Sequence, residues 1–127
     1  MTAIIRMKNF IKTLIFNIIA VVSFESNMDI QIFLYLKKFR NLYRFYGDGF
    51  RGLPAFAPFN KILITAAAPY IPPALIDQLA IGGLMVLPVN ADGSQQMIRV
   101  IKQPDGSLEK EYFDFFSFVP MLKGKSE

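Results

Sequence analysis

Between Lys61 and Ala67 the chain reads KILITAA, a short and nearly unbroken apolar run rich in β-branched residues. That pattern predicts a parallel strand buried on both faces, because a strand exposed on one face would alternate apolar with polar residues. A helix follows in the expectation: Pro72 and Pro73 suit a helix start, Leu75, Ile76 and Leu79 form an apolar stripe, and Gly82-Gly83 would stop it. Leu84 to Val89, LMVLPV, then reads as a second buried strand. Strand, helix and strand in about thirty residues make a right-handed βαβ unit, the building block of an open α/β sheet. Gln96 to Lys102 and Leu108 to Phe115 are strand-like runs around Pro104-Asp105-Gly106-Ser107, a strong turn signal, and predict an antiparallel hairpin at the sheet edge.

Upstream the pattern changes. Met28 to Tyr46 places Ile32, Leu36, Phe39 and Tyr43 at helical spacing, with Lys37, Lys38, Arg40, Asn41 and Arg44 mostly on other faces, and predicts an amphipathic basic helix. Such a helix can pack its apolar stripe on a sheet; interleaved aromatics and cations would also suit a membrane surface or a nucleic acid. Nearer the start, Lys8 and Lys12 precede the apolar run Leu14 to Val22, with Val21-Val22-Ser23 as a cleavage-like site, which is the outline of an export signal. The uncharged stretch Thr13 to Phe24 is too short to span a bilayer as a helix. Contact with a membrane through residues 8–24 therefore stands as an alternative to burial.

Composition sharpens this division. All eight glycines and all eight prolines lie at or beyond position 47, so the turn-forming punctuation of a compact domain belongs to the later part. Of the net charge of +4, residues 1–46 carry an excess of positive charge (seven Lys/Arg against two Asp/Glu), and residues 47–127 are close to neutral. A nucleic-acid-binding domain would need a basic surface on its folded part, so nucleic acid is not an expected partner. Cysteine and histidine are both absent, which removes disulfides, thiolate nucleophiles, imidazole bases and nearly every zinc site. The absence of cysteine fits a reducing cytoplasm.

In open α/β sheets, ligands sit outside the carboxyl ends of the strands. Two loops qualify: Gly47-Asp48-Gly49 after Tyr43 to Tyr46, and Ala66-Ala67-Ala68-Pro69 after KILIT. Glycines flanking a carboxylate let a flat ring approach the backbone, and Asp48 can accept a hydrogen bond from an exocyclic amine such as that of adenine. The same residues also make an ordinary turn.

Taken together, GDGFRGLPAFAPFNKILITAAAPYIPPALIDQLAIGGLMVLPV, QQMIRVIK and FSFVPML closely resemble the C-terminal half of the protein-L-isoaspartate O-methyltransferases, over about residues 45–124. The resemblance implies the C-terminal half of a doubly wound, Rossmann-like methyltransferase sheet with a terminal antiparallel hairpin. It implies S-adenosyl-L-methionine as cofactor, isoaspartyl-containing proteins or peptides as substrate, and methylation of the isoaspartyl carboxylate as a protein-repair reaction. Asp48 and Gly49 would contact the cofactor on its adenine side, and Gly47 would shape the loop. Thr65 to Pro69 and Phe118 to Pro120 would lie near the methyl-transfer pocket, with no catalytic side chain assigned. Asn60 stands where the family usually has Asp, and Asn90 where it usually has Gly.

Family members also carry a glycine-rich GxGxGY cofactor loop, an acidic ribose-binding residue and a substrate-loop Ser or Thr, all before the GDG motif. This chain has no glycine before Gly47, and residues 1–27 carry no block of the family. The expected organisation is thus a divergent, helical N-terminal segment, residues 1–44, and a partial methyltransferase domain, residues 45–127, truncated and inactive alone. Without its missing half, the sheet would leave the edge beside KILITAA unpaired. The alternative is a non-catalytic remnant half-domain held to a membrane or partner by its basic apolar N-terminus.

Overall fold

The computed structural model describes residues 2–11, 14–23, 42–117 and 120–121; for residues 2–23, 42–44 and Tyr46 it describes the backbone alone. Seven strands form one mixed sheet: β1 (Thr2–Ile11), β2 (Leu14–Ser23), β3 (Leu42–Tyr46), β4 (Phe59–Ile64), β5 (Leu79–Ala91), β6 (Ser94–Lys102) and β7 (Leu108–Phe116). Their order is β3-β1-β2-β4-β5-β6-β7. Strands β2, β4 and β5 run parallel, while β1 is antiparallel to both β2 and β3, and the β5-β6 and β6-β7 pairs are antiparallel.

The N-terminal expectation of a helix is corrected here. Ile4, Ile5, Ile11, Ile15, Ile18, Ile19, Val21 and Val22 are β-branched and stiff at χ1, which suits a pleated strand better than a helix, and they lie in β1 and β2. Residues 8–11 and 14–23 of the export-like or membrane-contacting stretch thus belong to sheet strands. The end of the expected basic helix, Leu42–Tyr46, is strand β3, and the rest of that helix lies outside the described residues. The edge beside KILITAA is not open: β2 pairs with β4 in parallel, Ile18 opposite Lys61 through Val21 opposite Ile64.

The βαβ unit is present with shifted boundaries. Its helix, α1 (Pro73–Gln78), enters through Pro72 and ends at Leu79, whose backbone is already extended. The Gly82-Gly83 pair does not stop the helix but lies inside β5. Between the pairs Phe59–Leu79 and Lys61–Leu84 the register slips, so β5 spends extra residues there. Gly82 has φ of 75°, and a Cβ on Gly83 would lie 2.7 Å from the Ala80 carbonyl oxygen. The glycines therefore make a bulge, which demands such residues as readily as a helix end does.

One face of the sheet carries the core. Ile62, Met85 and Val100 are in cross-strand register, as are Leu87 and Ile98, and all are buried. Phe59, Leu75 and Leu79 complete the cluster, with Leu53, Phe50 and Phe56 packed partly against it. Lys61 and Leu63 alternate to the other face and are exposed, Leu63 by 46%. Burial on both faces, expected from KILITAA, is thus corrected to burial on one. The β6-β7 hairpin forms as expected, and β7 is the sheet edge; its aromatics Tyr112, Phe113, Phe115 and Phe116 are 46–59% exposed rather than packed in a core.

Candidate functional site

The loop after β3 is built by its own backbone. Asp48 caps a 3-10 turn, Gly49–Arg51, with its Oδ1 accepting from the Phe50 N–H at 3.0 Å. The Arg51 N–H donates to the Asp48 carbonyl at 3.1 Å. Asp48 Oδ2 faces Arg51 Nε at 4.0 Å, and the Arg51 side chain is largely exposed, so this ion pair adds little and leaves that oxygen acceptor capacity. Gly49 is buried, and among the described residues no heavy atom lies within 4 Å of where a Cβ on Gly47 would stand.

Because β3 and β4 run the same way, residues 47–58 must return across the sheet from the carboxyl end of one to the amino end of the other. They do so through two 3-10 turns, Gly49–Arg51 and Pro54–Phe56, and a cis peptide between Ala57 and Pro58. Phe56 stacks at 5.3 Å on Phe45 of β3, and Phe50 lies 5.9 Å from the ring of Tyr70. The second contact joins the two loops picked out in the sequence, since Tyr70 belongs to the segment that follows β4.

That segment is tied to its neighbours on both sides. The Ala68 N–H donates to the Pro88 carbonyl, and the Asn90 N–H to the Ala68 carbonyl, each at 2.9 Å. From the far side of the chain, the Met121 N–H donates to the Ala67 carbonyl at 2.8 Å, and Pro120 bridges Ala67 in parallel. The structure therefore brings Ala67 together with Pro120 and Ala68 together with Val89; Phe118 and Val119 lie outside the described residues. Asn90 is an exposed residue of β5 at this edge, and Asn60 is half-buried in β4.

One polar residue was not legible as part of the site. Gln78, the last residue of α1, is buried, and its carboxamide holds the crossing loop: Oε1 accepts from the Leu53 N–H and Nε2 donates to the Arg51 carbonyl, each at 2.8 Å. Nothing in the spacing of LIDQL signals a partner so far upstream in the chain. Among the described residues no group of His, Cys, Asp and Glu could hold a metal, and no helix is long and apolar enough to cross a membrane.

The model of the protein-L-isoaspartate(D-aspartate) O-methyltransferase family matches residues 11–126. The chain belongs to that family. The match starts well upstream of the blocks that carry the sequence resemblance and includes β2, so residues 11–27 are not foreign to the family. Among curated O-methyltransferases of this name, that of Flavobacterium psychrophilum is 48% identical over 81 residues, 64% of this chain and 38% of the relative. That of Christiangramia forsetii is 41% identical over 88 residues, 69% of this chain and 41% of the relative. The chain thus spans about two fifths of the length of the curated relatives it matches. A solved protein-L-isoaspartate O-methyltransferase superposes with a TM-score of 0.65 at 23% identity, over 80% of this chain and 32% of that one, which supports the fold. A second, from Plasmodium falciparum in complex with S-adenosyl-L-homocysteine, gives 0.50 at 26% identity over 54% of this chain and 30% of that one. The fold is accordingly the C-terminal half of the Rossmann-like methyltransferase sheet.

Proposed function

We propose that this chain forms the adenine side and one wall of the methyl-transfer pocket of an S-adenosylmethionine-dependent methyltransferase acting on isoaspartyl residues of damaged proteins. The observation that carries this reading is the meeting, at one end of the sheet, of the Gly47-Asp48-Gly49 loop, through Phe50 and Tyr70, with the Ala67–Met121 bridge. Asp48 Oδ2 would accept a hydrogen bond from the exocyclic amine of adenine, Gly49 would give the ring a close backbone approach, and Gly47 would shape the loop.

The bound cofactor supplies an electrophilic methyl group on sulfur. An isoaspartyl carboxylate is already ionised at neutral pH, so it is a nucleophile without help from a base and no side chain need remove a proton from it. The work left to the protein would be alignment and exclusion of water, in which Ala67, Ala68 and Pro120 would form one wall. A chain without histidine or cysteine is compatible with this chemistry, and the lack of cysteine suits a cytoplasmic setting.

Residues 1–46 contain no glycine, so they cannot supply the glycine-rich loop that the family resemblance implies at the methionine end of the cofactor. The expected affinity of the chain alone is therefore weak, with a dissociation constant of about 1 mM or more, and turnover of an isoaspartyl peptide is absent. Titration with S-adenosylmethionine followed by amide NMR should move the Gly47, Asp48 and Gly49 resonances first. Shifts confined to other strands would refute the adenine assignment; micromolar binding or methyl transfer would refute the claim that the site is only half built.

A further inference from the structure

Gln78 is the single buried polar residue among the described ones, and it serves neither the core nor solvent. Its carboxamide does for the loop what a neighbouring strand would do, accepting one backbone N–H and donating to one carbonyl on either side of Gly52. Gly52 is matched to it twice over. Its φ of 59° is in the left-handed region that favours glycine, and a Cβ there would sit 2.3 Å from Gln78 Oε1 and 2.6 Å from Leu75 Cδ2. Gly52 also closes the 3-10 turn capped by Asp48, through its N–H to the Gly49 carbonyl at 3.2 Å. A short chain of bonds therefore runs from α1 through Arg51, Gly52 and Leu53 to the turn that orients Asp48.

We propose that Gln78 is a positioning residue for the cofactor: by clamping the Arg51–Leu53 backbone it fixes the turn on which Asp48 and Gly49 meet the adenine. The inference rests on the reading of that loop given above. A side chain reaching the loop from the end of a helix adds a constraint to the loop's own contacts, because two part-buried hydrogen bonds must both break before the turn can shift. The geometry also makes the clamp specific to a carboxamide. A carboxylate could still accept from Leu53, but its second oxygen would face the Arg51 carbonyl without a proton to share. Protonation would restore the donor, and burial at this position opposite a carbonyl oxygen raises a carboxyl's pKa, so that the proton returns above the ordinary carboxylate range.

The test is Gln78→Glu in the full chain, with wild type alongside, at pH 8 and pH 5.5. Two readouts are taken, the S-adenosylmethionine dissociation constant from NMR titration and the exchange rate of the Leu53 amide without ligand. The expected result is affinity at least fivefold weaker than wild type at pH 8 that recovers to within twofold at pH 5.5, with Leu53 protection lost and regained over the same range. Equal affinity at pH 8, or an equal loss at both pH values, would overturn the proposal. Should the introduced carboxylate unfold the chain, Gln78→Met keeps the volume without the hydrogen bonds; it should weaken binding at both pH values, and unchanged binding would overturn the proposal. A wild-type chain that binds no S-adenosylmethionine would overturn the reading of the loop, and with it the cofactor role of Gln78. The clamp itself would then still stand on a Leu53 amide that is protected in wild type and not in Gln78→Glu, and would fall if both exchanged alike.

Discussion

Strand β4 lies between two neighbours that reach it by different routes. On one side is β5, which follows after a single short helix and brings Met85 into register with Ile62. On the other is β2, which precedes β4 by the whole of β3 and the crossing loop and pairs with it at only four positions, Ile18 to Val21. The β5 side is a local αβ unit that sets Met85 and Leu87 beside Ile62 in the buried core. The β2 side is a distant pairing that supplies backbone partners to what would otherwise be an open sheet edge, and so keeps that edge from seeking another chain.

Removing a ring from the first side should have the largest effect. Phe59 is fully buried where β4 begins, and Phe59→Ala is expected to cost about 3–5 kcal/mol, read as a lower urea midpoint for unfolding; a cost below about 1 kcal/mol would mean that the β4–β5 side does not carry the core. On the second side, β2 is an interior strand, so each of its N–H groups faces β1 or β4. Ala20→Pro deletes one of these and should destabilise by about 2 kcal/mol, and it should also produce concentration-dependent association in sedimentation experiments as the β4 edge opens. A variant that stays monomeric would show that β2 does not guard the edge.

How much of this was legible follows the same division. The KILITAA strand, the helix behind Pro72-Pro73 and the hairpin around Pro104 to Ser107 could be read because each is specified by residues close together in sequence. Of two further local signals, one pointed elsewhere and one agrees with the fold. Gly82-Gly83 resembles a helix stop but is a bulge, because the helix had already ended against β5. Asp92-Gly93, with φ of 45° and 84°, joins Ala91 to Ser94 as a two-residue hairpin loop, and its Asp-Gly signature was available in the sequence. In the site, Gly47, Asp48 and Gly49 were legible as a loop, although the periodicity before them read as a helix and not as β3. Gln78 was not, since its meaning depends on Gly52 being folded against it. The placement of β2 beside β4 was equally hidden, since hydrophobic runs do not say which strand they will pair with.

The smallest expected effect is the sharpest probe of the difference. In the β6-β7 turn, the Ser107 hydroxyl and then its backbone N–H donate to Asp105, holding its carboxyl below the ordinary 3.8. A pKa lowered by folding stabilises the folded state above the unfolded value and loses that contribution as pH falls through the folded one, so the change in stability with pH is confined to pH below about 3.8. Ser107→Ala should move the Asp105 titration back toward 3.8 in NMR. In Ala20→Pro the Asp105 titration should keep its lowered position if the β5–β7 side folds without β2; a return to the ordinary value would show that the two sides fold as one unit.

The hydrogen bond from Met121 to Ala67 bears on the order in which the molecule assembles. Its two ends are joined through α1, β5, β6 and β7, so closing it costs the entropy of a long loop until these elements have drawn the ends together. It is a closing stitch, and the wall it makes is expected to be the last part of the carboxyl edge to set during folding and the first to open by local fluctuation in the finished fold.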